Sequence, residues 1–212
     1  MGNFYGKVVG PTVLWAIGMR ATVLHRERVN DNYPAIYLSN HTSQLDPLIA
    51  IWICPFGGCG VAKKEIANVP FFGWVYRLSG HLLIDRSSPA KAISSMQELA
   101  RLVEALKLGV WIWPEGTRSL DGRLLPLKKG FAHMAIKTKL PIVPVVVRNA
   151  QYRWPSKTIL LYPGRYEIEV LPRVETDDWS VETLDQHIAR IEQIYNENLP
   201  SEQQSLTYLN PD

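Results

Sequence analysis

Cysteine is scarce: Cys54 and Cys59, in a C-x4-C arrangement, are the only two in 212 residues. No second pair and no adjacent histidine accompany them, which argues against a zinc site, and two cysteines make no disulfide framework for a chain this long. Both read as reduced structural residues, as in a cytoplasmic compartment. An excess of one charge is missing too. Lys and Arg number 23 against 20 Asp and Glu, a formal net charge of +3. With no dense Lys/Arg run, nucleic acid is not an expected partner. Such a weakly basic balance suits an anionic substrate or membrane face.

Long apolar runs are also lacking near the N-terminus. Val8 to Met19 is interrupted by Pro11 and Gly18 and falls short of the roughly 20 residues that span a bilayer. No small-x-small cleavage site follows at Arg20-Ala21-Thr22. Two readings are open: a helix buried against the core, or a segment lying in the membrane interface with Trp15 at head-group depth. There is no G-x-S-x-G elbow, no G-x-x-x-x-G-K-[ST] loop and no G-x-G-x-x-G fingerprint, which disfavours an α/β-hydrolase, a P-loop enzyme and a dinucleotide-binding fold. His25, His81, His133 and His187 are scattered and form no metal-ligand pattern.

What is present is an ordinary globular balance, 46% hydrophobic and 20% charged, in a length that suits one domain. Apolar runs alternate with turn signals. Strands are expected at Ala35–Leu38, Gly60–Ala62, His81–Ile84, Val110–Trp113 and Ile142–Val147, with a late pair at Thr158–Leu161 and Tyr166–Leu171. Asp46-Pro47 and Ser88-Pro89 read as cap-plus-proline helix starts. Helices are also expected at Phe71–Leu78, at Phe131–Thr138 and along the amphipathic stretch Ser180–Leu199. The alternation predicts an α/β single-domain sandwich whose mixed, mostly parallel sheet is flanked by helices. Residues 1–30 are expected to form an N-terminal membrane-associating segment and 31–212 the main domain.

Three segments carry chemistry-bearing side chains. Asn40-His41-Thr42-Ser43-Gln44-Leu45-Asp46 joins a strand to a helix. His41 is a candidate general base, and Asp46 turned back onto the ring would hold its tautomer. On spacing alone the plainer reading remains: Asp46 caps the helix and His41 is a loop residue. Pro114-Glu115-Gly116-Thr117-Arg118-Ser119 follows a strand. Gly116 allows close backbone approach, and Arg118 offers a two-pronged phosphate fork. A polar turn with an exposed Glu–Arg pair is the alternative. Ile84-Asp85-Arg86 offers a second arginine, and Lys63, Lys64, Lys128 and Lys129 add positive charge in nearby loops.

Taken together, these segments resemble the lysophosphatidic acid acyltransferase family. Four blocks match in order between about Pro34 and Arg148: N-H-x4-D at Asn40 to Asp46; Ala62-Lys63-Lys64-Glu65, Pro70-Phe71-Phe72-Gly73-Trp74 and Gly80 to Arg86; Trp113 to Ser119; and Leu140-Pro141-Ile142-Val143-Pro144-Val145. Four blocks in sequence reverse the plainer readings of His41 and Arg118. The resemblance implies that His41 deprotonates an acceptor hydroxyl, Asp46 supports it, and the hydroxyl attacks an acyl thioester directly. It implies that Arg86, Glu115, Gly116, Thr117 and Arg118, with Lys64, shape the acceptor pocket, and that Pro144 lies towards the acyl donor. The implied acceptor is lysophosphatidic acid and the donor acyl-CoA or acyl carrier protein, with no metal or other cofactor. The implied location is the cytoplasmic face of the inner membrane, monotopic or peripheral. Trp113 stands where Phe or Val is common in the family. Related expectations are another lysophospholipid or an amino-lipid as acceptor, a thioesterase in which His41 activates water, or a non-catalytic lipid-binding protein.

Overall fold

The structure is a computed structural model in which residues 2–65, 82–85 and 87–209 are described. Seven strands form one sheet in the order β1-β7-β6-β2-β5-β3-β4. They are β1 (Met19–Leu24), β2 (Ile36–Ser39), β3 (Gly58–Lys63), β4 (Leu82–Ile84), β5 (Gly109–Ile112), β6 (Ile142–Arg148) and β7 (Gly164–Val170). Every pairing is parallel except β6 with β7. The helices that pack on it are α1 (Gly2–Ala16), α2 (Glu27–Asp31), α3 (Asp46–Ile53), α4 (Pro89–Leu106), α5 (Gly130–Thr138) and α6 (Leu184–Asn198).

Strand side chains alternate between two cores, as a pleated strand requires. Ile36, Leu38, Val110 and Ile112 face one cluster, built with Val103 of α4, Phe131 of α5 and Ile191 of α6. Tyr37, Trp111, Val143 and Val145 face the other, built with Leu14 of α1 and Ile49 and Ile53 of α3. Both faces of β6 are therefore covered, and its run of Val and Ile is the composition of a strand buried on both sides. At the start of α4, Ser88 Oγ accepts from Lys91 N at 3.3 Å with Pro89 following, so that expected cap is present.

Several expectations need correction. Thr158–Leu161 is not a strand but an irregular segment, and the antiparallel partner of β7 is β6 itself. The last long helix starts at Leu184, not Ser180, which leaves Val181 exposed. Asp46 is the first residue of α3 rather than its cap. Residues 1–30 do not stand apart: β1 pairs with β7 over six residues, and α1 lies on α3. The expected helix at Phe71–Leu78, the block Pro70 to Trp74, Gly80, His81 and Arg86 lie outside the described residues.

Helix α1 is buried along one face and exposes apolar side chains on the other. Gly6, Gly10 and Leu14, four apart, make one buried stripe. A Cβ at Gly6 would collide with the Ile51 carbonyl oxygen, and one at Gly10 would lie 3.0 Å from Trp52 Cβ, so glycine lets the two helices touch. The two run antiparallel: α3 leaves the C-terminal end of β2, while α1 leads into β1, which starts beside Gly164 at that same end of the sheet. Lys7, the basic residue just ahead of the apolar run, donates from Nζ to Trp52 O and Ile53 O at 3.1 and 3.2 Å, satisfying the last carbonyls of α3. Burial, with Arg26 nearby, pulls its ammonium below its usual value. The outer face exposes Val8, Val9, Val13 and Trp15. Among the described residues no helix is long and apolar enough to cross a membrane.

Gly6→Val should separate α1 from α3, because the added side chain meets backbone that cannot yield. A loss of about 1 to 3 kcal/mol is expected, read as a lowered melting temperature by circular dichroism. A Val8→Ala change on the outer face should leave it within about a degree, since surface substitutions mostly stay within ±0.5 kcal/mol. Equal melting of Gly6→Val and the parent chain would refute the packing role.

Candidate active site

Strands β2 and β5 are parallel neighbours, and the chain leaves their C-terminal ends in opposite directions. After β2 it crosses to α3 on one face; after β5 it crosses to α5 on the other. The resulting crevice is where ligands of open α/β sheets bind. Two of the segments singled out from sequence, Asn40 to Asp46 and Pro114 to Ser119, meet in it.

The first loop is held by side chains reaching back to its own backbone and to β6. Asn40 clamps Val147: its Nδ2 donates to Val147 O at 2.9 Å, and its Oδ1 accepts from Val147 N at 2.8 Å. The buried Asp46 carboxyl turns back from the head of α3. Its Oδ2 accepts from Thr42 N and Ser43 N, each at 2.9 Å, and lies 2.7 Å from His41 Nδ1. An oxygen already accepting two N–H bonds makes Nδ1 the donor. That fixes the proton on Nδ1 and leaves the lone pair of Nε2 free. Trp113, from the end of β5, stacks on the ring at 4.6 Å between centroids and 17° between planes. The His41 side chain is only 12% exposed and lines the cleft. Such an imidazole can take a proton from a hydroxyl that approaches Nε2.

The second loop is tied to the first by Glu115. Its Oε1 accepts from His41 N at 2.7 Å and its Oε2 from Leu125 N at 3.2 Å. Ser119 N donates to His41 O at 2.8 Å, and Ser156 Oγ donates to Ser119 O at 2.9 Å. Gly116 has φ +74°, a conformation that favours glycine. Together these loops border an open cleft of about 780 Å³. His41, Gly116, Thr117 and Arg118 line it, together with Leu120, Asp121, Leu125, Ser156 and Lys157. Arg118 has no carboxylate partner among the described residues.

Of the residues singled out from sequence, His41, Gly116, Thr117 and Arg118 come together at the cleft, with Asp46 directly behind His41. Glu115 does not reach it: the side chain is buried and both oxygens are used on backbone N–H groups, so it braces the two loops. Pro144 is buried inside β6 opposite Leu38, away from the cleft lining. The exposed Lys64 faces Asp85 at 3.9 Å rather than the cleft. Arg86 lies outside the described residues. Sequence reading missed Ser156 and Lys157, the Asn40 clamp and the Trp113 stack. The stack was signalled by the unusual tryptophan. The Ser156 bond and the Asn40 clamp join residues 37 and 107 positions apart, which no local pattern announces.

Burial pushes the Glu115 carboxyl up to about 8, against the two N–H bonds that favour its charged form. A carboxyl that holds its proton more tightly when folded stabilises the fold fully below about 4.5, and that contribution is lost as pH rises through about 8. Glu115→Gln does not titrate. The melting temperature of the parent chain should therefore fall relative to Glu115→Gln between pH 5 and 9 in calorimetric scans. A gap that moves the other way would show that this carboxyl stays charged when buried.

Known proteins share much of this sequence and its fold. The family model described as Acyltransferase matches residues 20–148, more than half the chain. A protein of Limnanthes douglasii named 1-acyl-sn-glycerol-3-phosphate acyltransferase is 41% identical over 206 residues, covering 97% of this chain and 73% of that protein. Its counterpart of the same name in Limnanthes alba is 42% identical over 206 residues, with 97% and 73% covered. Among solved structures, the crystal structure of a 1-acyl-sn-glycerophosphate acyltransferase from Thermotoga maritima superposes with a TM-score of 0.79 at 21% identity, covering 92% of this chain and 77% of that one; this likeness speaks for the fold. With a family model over more than half of its length and relatives of this identity along nearly all of it, the chain belongs to the acyltransferase family of enzymes.

Proposed function

We propose that this enzyme transfers an acyl chain from an acyl thioester, either acyl-CoA or acyl carrier protein, to the free hydroxyl of lysophosphatidic acid, giving phosphatidic acid. One observation carries the reading: His41, tied to Asp46 at 2.7 Å, opens onto a cleft whose wall holds Arg118. The relatives named above carry the name of this activity.

The hydroxyl oxygen attacks the thioester carbonyl carbon while His41 Nε2 takes the hydroxyl proton. The tetrahedral intermediate collapses, the carbon–sulfur bond breaks, and the thiolate takes the proton back from His41. Asp46 holds the ring and stabilises the imidazolium between the two transfers. No acyl-enzyme, metal or prosthetic group is needed. Arg118, with Gly116 and Thr117, receives the acceptor phosphate, with Arg86 as its expected companion. Glu115 fixes the distance between base and phosphate site. The outer face of α1 lies against the membrane that holds the acceptor's acyl chain, on the cytoplasmic side.

His41→Ala should lower kcat by on the order of 10² to 10⁴, with an unchanged circular dichroism spectrum. Asp46→Asn should be severely impaired, because the amide gives the imidazolium no counter-charge. Arg118→Ala should raise the Michaelis constant for lysophosphatidic acid more than for the donor, and Arg118→Lys should restore little of it. These are read from steady-state assays on purified enzyme with a panel of lysolipid acceptors and both donors. Near-parental turnover in folded His41→Ala protein would sink the base assignment. A loss confined to donor affinity in Arg118→Ala would move the phosphate site elsewhere.

A further inference from the structure

The segment between the cleft and β7 is unusual in its surface. Ser156 and Lys157 line the cleft. The next residues, Thr158 to Pro163, have no regular structure. Within them Ile159 is 92% exposed and Leu160 58% exposed, and Leu161 and Tyr162 follow, also exposed. Four adjacent exposed apolar side chains at the rim of a binding cleft are not the scatter of single apolar residues expected on a soluble surface. Nor is the backbone loose. Gln44 Nε2 donates to Thr158 O, Trp154 Nε1 donates to the same oxygen at 3.0 Å, and Tyr162 N donates to Arg153 O at 2.8 Å. The protein holds this apolar run outward from a pinned base.

Its far end joins α1. Gly164 N donates to Gly18 O at 3.1 Å, and a Cβ on Gly18 would stand 2.8 Å from Pro163 Cβ. Because β1 starts beside Gly164, where β7 begins next to the C-terminal end of β6, the Trp15 end of α1 lies at the cleft end of the sheet. The exposed run and the exposed face of α1 thus adjoin at one end of the molecule. The chain carries 20 Asp and Glu, yet none falls in residues 1–26 or 151–165. Exposed cations border the apolar residues instead: Arg20 and Arg165, paired across β1 and β7, and Lys157 at the cleft rim. Asp121 also lines the cleft, but these two segments carry cations alone, and exposed apolar side chains bordered by cations fit an anionic bilayer. An association with another protein would bring no reason for acidic residues to be missing from both segments.

We propose that Ile159-Leu160-Leu161-Tyr162 is a second membrane-inserting element, which seats the mouth of the cleft on an anionic lipid surface. This deepens the reading given above, and rests on it for the identity of the lipid acceptor. Because the run starts two residues after the cleft-lining Lys157, its insertion would place the mouth at head-group depth, where the hydroxyl and phosphate of a bilayer-held acceptor lie.

The test uses the full chain and vesicles of phosphatidylcholine with or without phosphatidylglycerol. Ile159→Asp/Leu160→Asp should reduce flotation with anionic vesicles by roughly tenfold or more. Leu106→Asp, an equally exposed change just before β5 and so at the opposite end of the sheet, should not reduce it. Activity on acceptor embedded in vesicles should fall in parallel, while activity on a short-chain soluble acceptor with a short-chain thioester stays within about twofold. Ile159→Cys can be labelled with a polarity-sensitive fluorophore, because Cys54 and Cys59 are buried with thiols pushed up to about 12. The label should shift to the blue on anionic vesicles and be quenched by brominated lipid. Unchanged flotation, or a label that stays in water on bound vesicles, overturns the proposal. Equal loss on soluble and embedded acceptors makes the run part of the acyl channel instead, and conversion of a dimer to a monomer makes it a self-association face. If flotation falls as expected while no lysolipid is acylated by the parent chain, the membrane element stands and the assigned reaction fails.

Discussion

Asp46 Oδ2 gathers three donors at once: two backbone N–H groups of the loop it follows, and Nδ1 of His41. This one oxygen decides the shape of the loop, the head of α3 and the direction of the imidazole. Two fixed N–H bonds set where the oxygen lies, and the ring must then present Nε2 to the cleft. Trp113 closes the face of the ring by stacking, so the imidazole is held along two directions, one polar and one apolar. A side chain restrained this way loses little freedom when it meets a reacting group, which is how a supporting shell preorganises a site.

Around that oxygen the fold builds a second set of ties, each joining elements far apart in sequence. Asn40 continues the β2–β6 pairing with its side chain, and Glu115 joins the end of β5 to the loop after β2. Tyr195 reaches from α6 to Leu38 O at 2.6 Å and anchors the same strand from the other face. The crevice exists because the chain leaves β2 and β5 towards opposite faces. A buried carboxyl whose proton is held up to about 8 is an unusual brace. Glu115 is tolerated there because both of its oxygens meet backbone N–H groups.

Local signals were legible in the sequence where the local chemistry decided the outcome. Ser88-Pro89 starts α4 because a cap and a fixed φ need no tertiary help, and the branched run of β6 suits only a covered strand. The family resemblance brought out His41, Gly116, Thr117 and Arg118, which do meet at the cleft. Failures came where tertiary contacts redirected a residue. Asp46 has a capping residue's chemistry but spends it on the turn and on His41. Lys7 has the look of a membrane-facing cation but satisfies the end of α3. Thr158–Leu161 has strand composition, yet its first carbonyl is taken by Gln44 and Trp154, and it pairs with no strand among the described residues. Nothing local predicts that Ser156 will bond Ser119, 37 positions away.

The exposed run after Thr158 carries a physical lesson about apolar stretches. A branched apolar stretch is ordinarily evidence of burial, because water excludes it. Ile159 and its neighbours violate this in a segment whose backbone is pinned on both sides, so the exposure is imposed by the fold rather than left over from it. The bonds that impose it come from Gln44, inside the same loop that carries His41, and from Trp154, whose carbonyl accepts from Ser43 and Gln44. The apolar run and the imidazole are consequently parts of one rigid unit. Whatever surface receives Ile159 also sets the depth at which His41 Nε2 works, so on the proposed reading lipid contact and base alignment are fixed by the same few hydrogen bonds.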